Sequence, residues 1–310
     1  MTCPETTRQS ERLRGNLPLK TDKFGNVLLG TLDFDFDTMM DKIDNFHINP
    51  EEADILPKIE YKELTSFGWI ETAKSQMSKI LNLRAFYGVD SLHEIPLRQQ
   101  VAFRQVKVTN INQYSLAAWL RKGELDSASL KLPAYSKDKL LDAIHVIRKI
   151  SYEMPDDFFN KTAYVLRDAG VGLIAVKTPK NTAVNGAVRK NNGMIIIQMS
   201  IYGRKAATMW FTLFHEIGHI LMHNIENQGF ISLDSAEKTP EENEANNFAR
   251  ETLLDRDTFD RFAARKHFTL ANVEKFSKEV EVHPSIIMER LEHENLVPFN
   301  KFAKHHLKVT

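Results

Sequence analysis

FTLFHEIGHILMHN, residues 211–224, decides how the rest of the chain is read. Two histidines, His215 and His219, stand four apart, and Glu216 follows the first directly. In an α-helix, positions i and i+4 share a face one turn apart, so both imidazoles can point at one ion. Zinc takes nitrogen ligands at about 2.0–2.1 Å in a tetrahedral shell, and a catalytic site keeps one position for water. Glu216 lies beside that site, where it can take a proton from water and return it to a leaving amine. This is the physical logic of the HExxH spacing, which makes Glu216 the catalytic residue and the two histidines metal ligands. The chain has 11 histidines, so composition alone sometimes produces the pattern, and its context has to carry weight. Trp210, Leu213, Phe214, Ile217 and Leu221 make the helix largely buried. Histidines and a carboxylate in such a helix need partners, because unpaired buried polar groups are costly. Gly218 inside the motif costs about 1 kcal/mol of helix stability relative to alanine. A close approach by another backbone would explain it.

A third protein ligand is required, and TPEENEANNFARETLL (239–254) offers one. Thr239 can cap a helix, Pro240 suits its first position, and acids fill the first turn. Ala245, Phe248, Ala249 and Thr252 form the inward face, with Glu242 on its flank. Glu242 can equally serve as a capping-box residue bonding back to Thr239. Glu241 and Glu244 suit simple solvation near a positive helix end. Spacing alone does not choose among the three glutamates.

Around these two helices the pattern is mixed. ETAKSQMSKILNLRAFYGV (71–89), QYSLAAWLRKGEL (113–125), SKDKLLDAIHVIRKISYEM (136–154) and PDDFFNKTAYVLRDAG (155–170) have helical apolar spacing. Gly88 and Gly170 are expected at helix ends, Ser136 as an N-cap and Pro155 in a first turn. VGLIAVKT (171–178) and GMIIIQMS (193–200) are short, β-branched and apolar, and read as strands. NGAV (185–188), between them, is either a third strand or a hairpin turn at Asn185-Gly186. Helices return at 205–224, 240–254, 269–280 and 284–295. The expectation is an α+β fold, mainly helical, with a small antiparallel sheet packed on the HExxH helix. Residues 1–60 read as an arm of uncertain order, in which LDFDFD (32–37) alternates acidic and apolar residues and NPEEADILPKI (49–59) suits a short helix. Residues 61–150 form a helical region, 151–300 carry the metal site, and the basic tail 301–310, KFAKHHLKVT, is expected in solvent.

Composition sets outer limits. The 310 residues are 42% hydrophobic and 26% charged, ordinary values for a soluble protein. Lys+Arg and Asp+Glu both number 41, so a basic surface covering the whole chain is excluded and direct nucleic-acid binding is not expected. The single cysteine, Cys3, excludes an internal disulfide and a thiolate cluster, and fits a reducing compartment. No apolar run is long enough to span a bilayer and none suits a signal peptide, so a cytoplasmic protein is expected.

HEIGHILMH followed by ENEANNFARETLL resembles the ImmA/IrrE metallopeptidases, a minimal gluzincin-like group. AAWLRKGEL, AGVGLIAVKT and GMIIIQMS extend the resemblance upstream, so that it covers roughly 65–300. It implies a minimal zincin-like core and a zinc ion. It also implies that the third ligand begins an E-x-x-x-D/N pattern, here Glu242 to Asn246, with Asn246 orienting a ligand histidine. Glu244 remains the alternative ligand. The subgroup is usually fused to or paired with a helix-turn-helix regulator, but residues 1–60 show no such motif. A second departure is that Leu253-Leu254 precede Asp255, where the family often has methionine and proline.

What the resemblance implies is a zinc-dependent endopeptidase. Its expected substrate is one regulatory protein, a helix-turn-helix repressor or antitoxin, in a stress, phage-response or toxin–antitoxin system. An edge strand within 185–200 would pair with extended substrate, and His223 is one candidate for stabilising the oxyanion. The helical region 61–150 suits either partner recognition or buttressing of the core. The competing reading is a non-catalytic metal-binding regulator or antitoxin acting through protein–protein contacts. Glu216 argues against it, since a structural site has no need of a general base.

Overall fold

Residues 50–95, 111–225, 229–233 and 239–309 are described by the structure, a computed structural model. Cys3, the 32–37 alternation and the rest of the arm up to residue 49 lie outside them. Where a short helix is expected at 49–59, the chain makes two 3-10 turns, Pro50–Asp54 and Leu56–Lys58. Helix α1 (Tyr61–Ser66) follows, then α2 (Gln76–Tyr87), ended by Gly88 at φ 67° as expected. Helix α3 (Gln113–Ser127) is capped by the Asn112 side chain, and α4 (Lys137–Glu153) by Ser136. Helix α5 (Phe158–Asp168) starts beyond Pro155, with Asp157 at its N-cap, and Gly170 past its end has φ 80°.

The sheet holds β1 (Val171–Ala175), β2 (Val184–Asn191), β3 (Met194–Met199) and β4 (Phe230–Leu233), in the order β1-β3-β2-β4. It is mixed, not antiparallel throughout. β1 runs parallel to β3, while β2 is antiparallel to both β3 and β4. The cause is the position of the hairpin turn. The turn is not at Asn185-Gly186, which lies within β2, but at Asn192-Gly193, both at positive φ (48° and 81°). Such a two-residue turn matches the twist of paired strands and locks β3 beside β2. Residues 176–183 have already reversed the chain once, so the second reversal aligns β3 with β1.

Helices cover both faces of this sheet. Val188, Ile195, Ile197 and Met199 join Trp210, Leu213, Phe214 and Ile217 in one core. On the opposite face Arg189 and Gln198 bond to α3, Gln198 Nε2 donating to the Trp119 carbonyl at 2.6 Å. A strand buried on both faces can be apolar continuously, which is why MIIIQM shows no clean alternation.

Helix α6 (Ala206–Met222) carries the HExxH motif. Fully burying side chains such as Trp210, Leu213, Phe214 and Ile217 stabilises by about 1.5–3 kcal/mol each. That outweighs the cost of Gly218. A Cβ on Gly218 would lie 3.2 Å from the Ala245 Cα and 3.2 Å from Phe248, so the glycine admits the neighbouring backbone. That neighbour is α7 (Pro240–Leu253), which packs most extensively on α6. Helix α8 (Arg256–Ala263) follows at once, its N-cap Asp255 accepting from the Thr258 amide at 2.8 Å. It separates α7 from α9 (Leu270–Val280) and α10 (Pro284–His293).

The tail is not left in solvent. Phe302 is 3% exposed and Val309 6%, and Lys308 forms a β-bridge with Lys205. The Ala206 amide donates to the Leu307 carbonyl at 2.8 Å, the Gly203 amide to Val309 at 3.0 Å, and the Val309 amide to Arg204 at 2.9 Å. Helix α6 has no side-chain N-cap, and the tail supplies a partner for its first amide instead. The basic composition hid an apolar anchor, because Lys301 and Lys304 face out while Phe302 and Val309 face in.

Candidate metal centre

His215 and His219 project from the middle of α6, 3% and 0% exposed. Glu242, in the first turn of α7, reaches between them. Its Oε2 lies 3.2 Å from His215 Nε2 and its Oε1 lies 3.3 Å from His219 Nε2. The two Nε2 atoms are 2.9 Å apart. Among the described residues, these three side chains are the group of His, Cys, Asp and Glu able to hold a metal ion. A tetrahedral ion with bonds of about 2.0–2.1 Å keeps its ligand atoms about 3.3 Å apart. The observed separations fit after a small opening of the histidine pair, and two imidazoles with one carboxylate are an ordinary donor set for zinc.

The neighbours hold these ligands in place. Asn246 Oδ1 lies 3.1 Å from His215 Nδ1, on the ring edge away from the site. That is where the E-x-x-x-D/N pattern placed it. His219 Nδ1 lies 2.9 Å from His223 Nδ1, and the Phe230 ring stacks on His219 with centroids 4.1 Å apart. Glu244, the alternative ligand, is not in the group. Its carboxylate pairs with His223 Nε2 at 3.1 Å, with the glutamate side chain 62% exposed. Glu242 also does not close a capping box. The Thr239 hydroxyl accepts from the Glu242 amide at 3.3 Å, while the carboxylate points to the histidines. His223 has both ring nitrogens engaged within the protein, which leaves no N–H for an oxyanion.

Glu216 is fully buried. Ser232 of β4 donates to its Oε1 at 2.6 Å, and Oε2 has no hydrogen-bond partner among the described residues. Gly186 of β2 makes room for it, since a Cβ there would sit 2.6 Å from Glu216 Oε1. Burial pushes the Glu216 carboxyl up to about 7, against the opposing pull of the His215 charge and the Ser232 bond. Burial also acts to raise Glu242, but hydrogen bonds and charge from His215 and His219 outweigh it and hold the group at about 2. The two histidines respond differently to this shared carboxylate. Burial lowers both, yet Glu242 and Glu216 raise His215 overall, whereas the charges of His215 and His223 leave His219 lowered.

The sequence named His215, Glu216, His219 and Glu242, and the family resemblance added Asn246; the structure brings all five side chains together. Sequence reasoning missed Ser232, because β4 was not expected, and it read Gly186 only as part of a strand or a hairpin turn. FISL (230–233) carries one β-branched residue and one polar residue among three apolar ones, a weak strand signal over four residues. The expected edge strand within 185–200 is also displaced. β2 and β3 are interior, and β4 is the outer strand on that side among the described residues.

A His-Glu-x-x-His helix, joined by a glutamate from the next helix and laid on a small sheet, is the build of a metallopeptidase. Comparison with known families bears on the same segment. Residues 198–292, from the end of β3 to the end of α10, match the peptidase M78 family, described as the IrrE N-terminal-like domain. That match supports the resemblance to the ImmA/IrrE metallopeptidases over residues 198–292. A search of curated proteins found no match. No helix of the described residues is long and apolar enough to cross a membrane.

Proposed function

We propose that the chain is a zinc-dependent endopeptidase in which His215, His219 and Glu242 hold the ion and Glu216 moves the proton. The bound zinc would supply a Lewis acid for the scissile carbonyl and bring the pKa of a coordinated water to about 7. Ser232 holds Glu216 by Oε1, which leaves Oε2 to accept a proton from the attacking water and deliver it to the departing amine nitrogen. Asn246 fixes the plane of His215 through Nδ1. Exclusion of bulk water around Glu216 and His219 strengthens each of these polar interactions. The outer edge of β4 is the place for an extended substrate segment to add as a further strand.

The observation that carries this reading is the Glu216 carboxylate, buried beside the three ligands with one oxygen held and the other uncommitted. A purely structural metal site has no use for it. For the substrate we propose a single regulatory protein, a helix-turn-helix repressor or an antitoxin, in a stress, phage-response or toxin–antitoxin system. That choice rests on the resemblance described from the sequence; the family match over residues 198–292 supports the peptidase activity it presupposes.

The test is co-expression of the chain with the products of the neighbouring genes, comparing wild type with Glu216→Gln and measuring metal content by mass spectrometry. The expected result is cleavage by wild type alone, with zinc present in both proteins. If the biological effect persists in the Gln variant, the chain acts by binding and the peptidase reading is lost.

A further inference from the structure

His223 closes α6, with an extended backbone at φ −116° and ψ 160°. Its ring turns back toward the site, and its side chain is 7% exposed. His223 Nδ1 lies 2.9 Å from His219 Nδ1, and its Nε2 lies 3.1 Å from Glu244 Oε2. Phe230 fixes both ring planes, with centroids 4.1 Å from His219 and 5.4 Å from His223. The hydrogens can be placed by chemistry. His219 Nε2 faces His215 and Glu242, so holding a cation there uses the Nε2 lone pair. Nδ1 of a neutral imidazole must then carry the hydrogen. The acceptor facing it is His223 Nδ1. A neutral His223 that accepts at Nδ1 carries its own hydrogen at Nε2, where the Glu244 carboxylate accepts it.

We propose that His223 and Glu244 are positioning residues, a relay from Glu244 through His223 that fixes the tautomer and ring orientation of His219 for binding a cation. It does for His219 what Asn246 does for His215. The proposal rests on the metal-centre reading and adds to it the reason for a third histidine one turn beyond the motif. His223 is not a fourth ligand, because it meets His219 on the ring edge opposite Nε2.

The test is Zn2+ competition with a chromophoric chelator on the full chain, with melting of the metal-free proteins as the control for folding. His223→Phe keeps a ring against Phe230 but offers no acceptor, and its zinc affinity is expected to fall about 10- to 100-fold. Glu244→Ala, a change at an exposed side chain, should weaken zinc binding several-fold with metal-free melting unchanged. Glu244→Gln keeps an accepting oxygen and should restore binding close to wild type. Nitrogen-15 spectra of the zinc-loaded wild type should place hydrogens on His219 Nδ1 and His223 Nε2. Wild-type affinity in both His223→Phe and Glu244→Ala, or a hydrogen on His223 Nδ1, overturns the relay. If His223→Phe also melts early, Glu244→Ala decides, and unchanged affinity there overturns the relay. Failure of the wild type to bind zinc is a separate result, which defeats the metal centre itself and the relay with it.

Discussion

At Glu216 one side chain meets two opposed demands. In the proposed role it has to be dry enough for its pKa to rise toward neutrality and held firmly enough to keep one geometry. Burial meets the first and Ser232 the second. Replacing Glu216 by Gln preserves shape and removes the base. Turnover is expected to fall about 10²- to 10⁴-fold while zinc content stays at the wild-type level, read by kinetics and metal analysis on the same preparation. Ser232→Ala removes the tether but keeps the carboxylate. A lower kcat with little change in KM is expected; a change confined to KM would mean that Ser232 serves substrate binding instead. Gly186 answers to sterics alone. A methyl group there would collide with Glu216 Oε1, so Gly186→Ala should depress kcat as Ser232→Ala does.

At the scale of elements, the decisive contact is α6 on α7 at Gly218. Alanine at this position raises intrinsic helix propensity by about 1 kcal/mol. Its Cβ would nonetheless press on the Ala245 backbone, and α7 carries Glu242. Gly218→Ala should therefore weaken zinc binding even where the melting temperature barely moves, measurable by the same chelator competition. Long elements were readable because their signals are local. The i, i+4 histidines, the Thr239 cap with Pro240, the Ser136 cap and the glycine stops at 88 and 170 each fix structure within a few residues. The sheet was less readable because its order depends on pairing between distant segments. Nothing near β1 announces that β3 will lie between it and β2. The NNG turn at 191–193 did hold the correct hairpin signal, but Asn185-Gly186 offered the same dipeptide earlier in the chain. Helix α8 was missed although Asp255 caps it and Phe259 and Phe262 share one face. The leucine pair before it drew the reading toward a helix end and no further. In the site, the helical ligands were legible and Ser232 was not, because its strand is short and joins the sheet from beyond α6.

Across the whole molecule, two anchors outside the site hold the ends of the described chain. Glu52, fully buried, pairs with Arg84 and accepts from the Leu92 amide at 2.7 Å. Burial acts to raise this carboxyl, but Arg84, Leu92 and Ser91 outweigh it and leave it below its ordinary value of 4.5. A depressed folded-state value means stability that is complete above about pH 4.5 and lost as pH falls through the folded-state value. Acid should thus release the 50–95 segment, seen as early loss of amide protection at Leu92. Glu52→Gln should remove that pH dependence. At the other end, truncation after Lys304 would remove the three backbone bonds that Leu307 and Val309 make. At about 0.5–1.5 kcal/mol each, roughly 1.5–4.5 kcal/mol is at stake, visible as a fall of several degrees in melting temperature.

The strand order also dictates a sequence of assembly. β2 and β3 meet through a two-residue turn and can zip on the microsecond scale, while β4 must wait until α6 has formed and docked. Ser232 arrives with β4, so in this order Glu216 gains its tether after the β2–β3 hairpin has formed. Pulsed hydrogen exchange during refolding should show amides of 186–199 protected before those of 230–232.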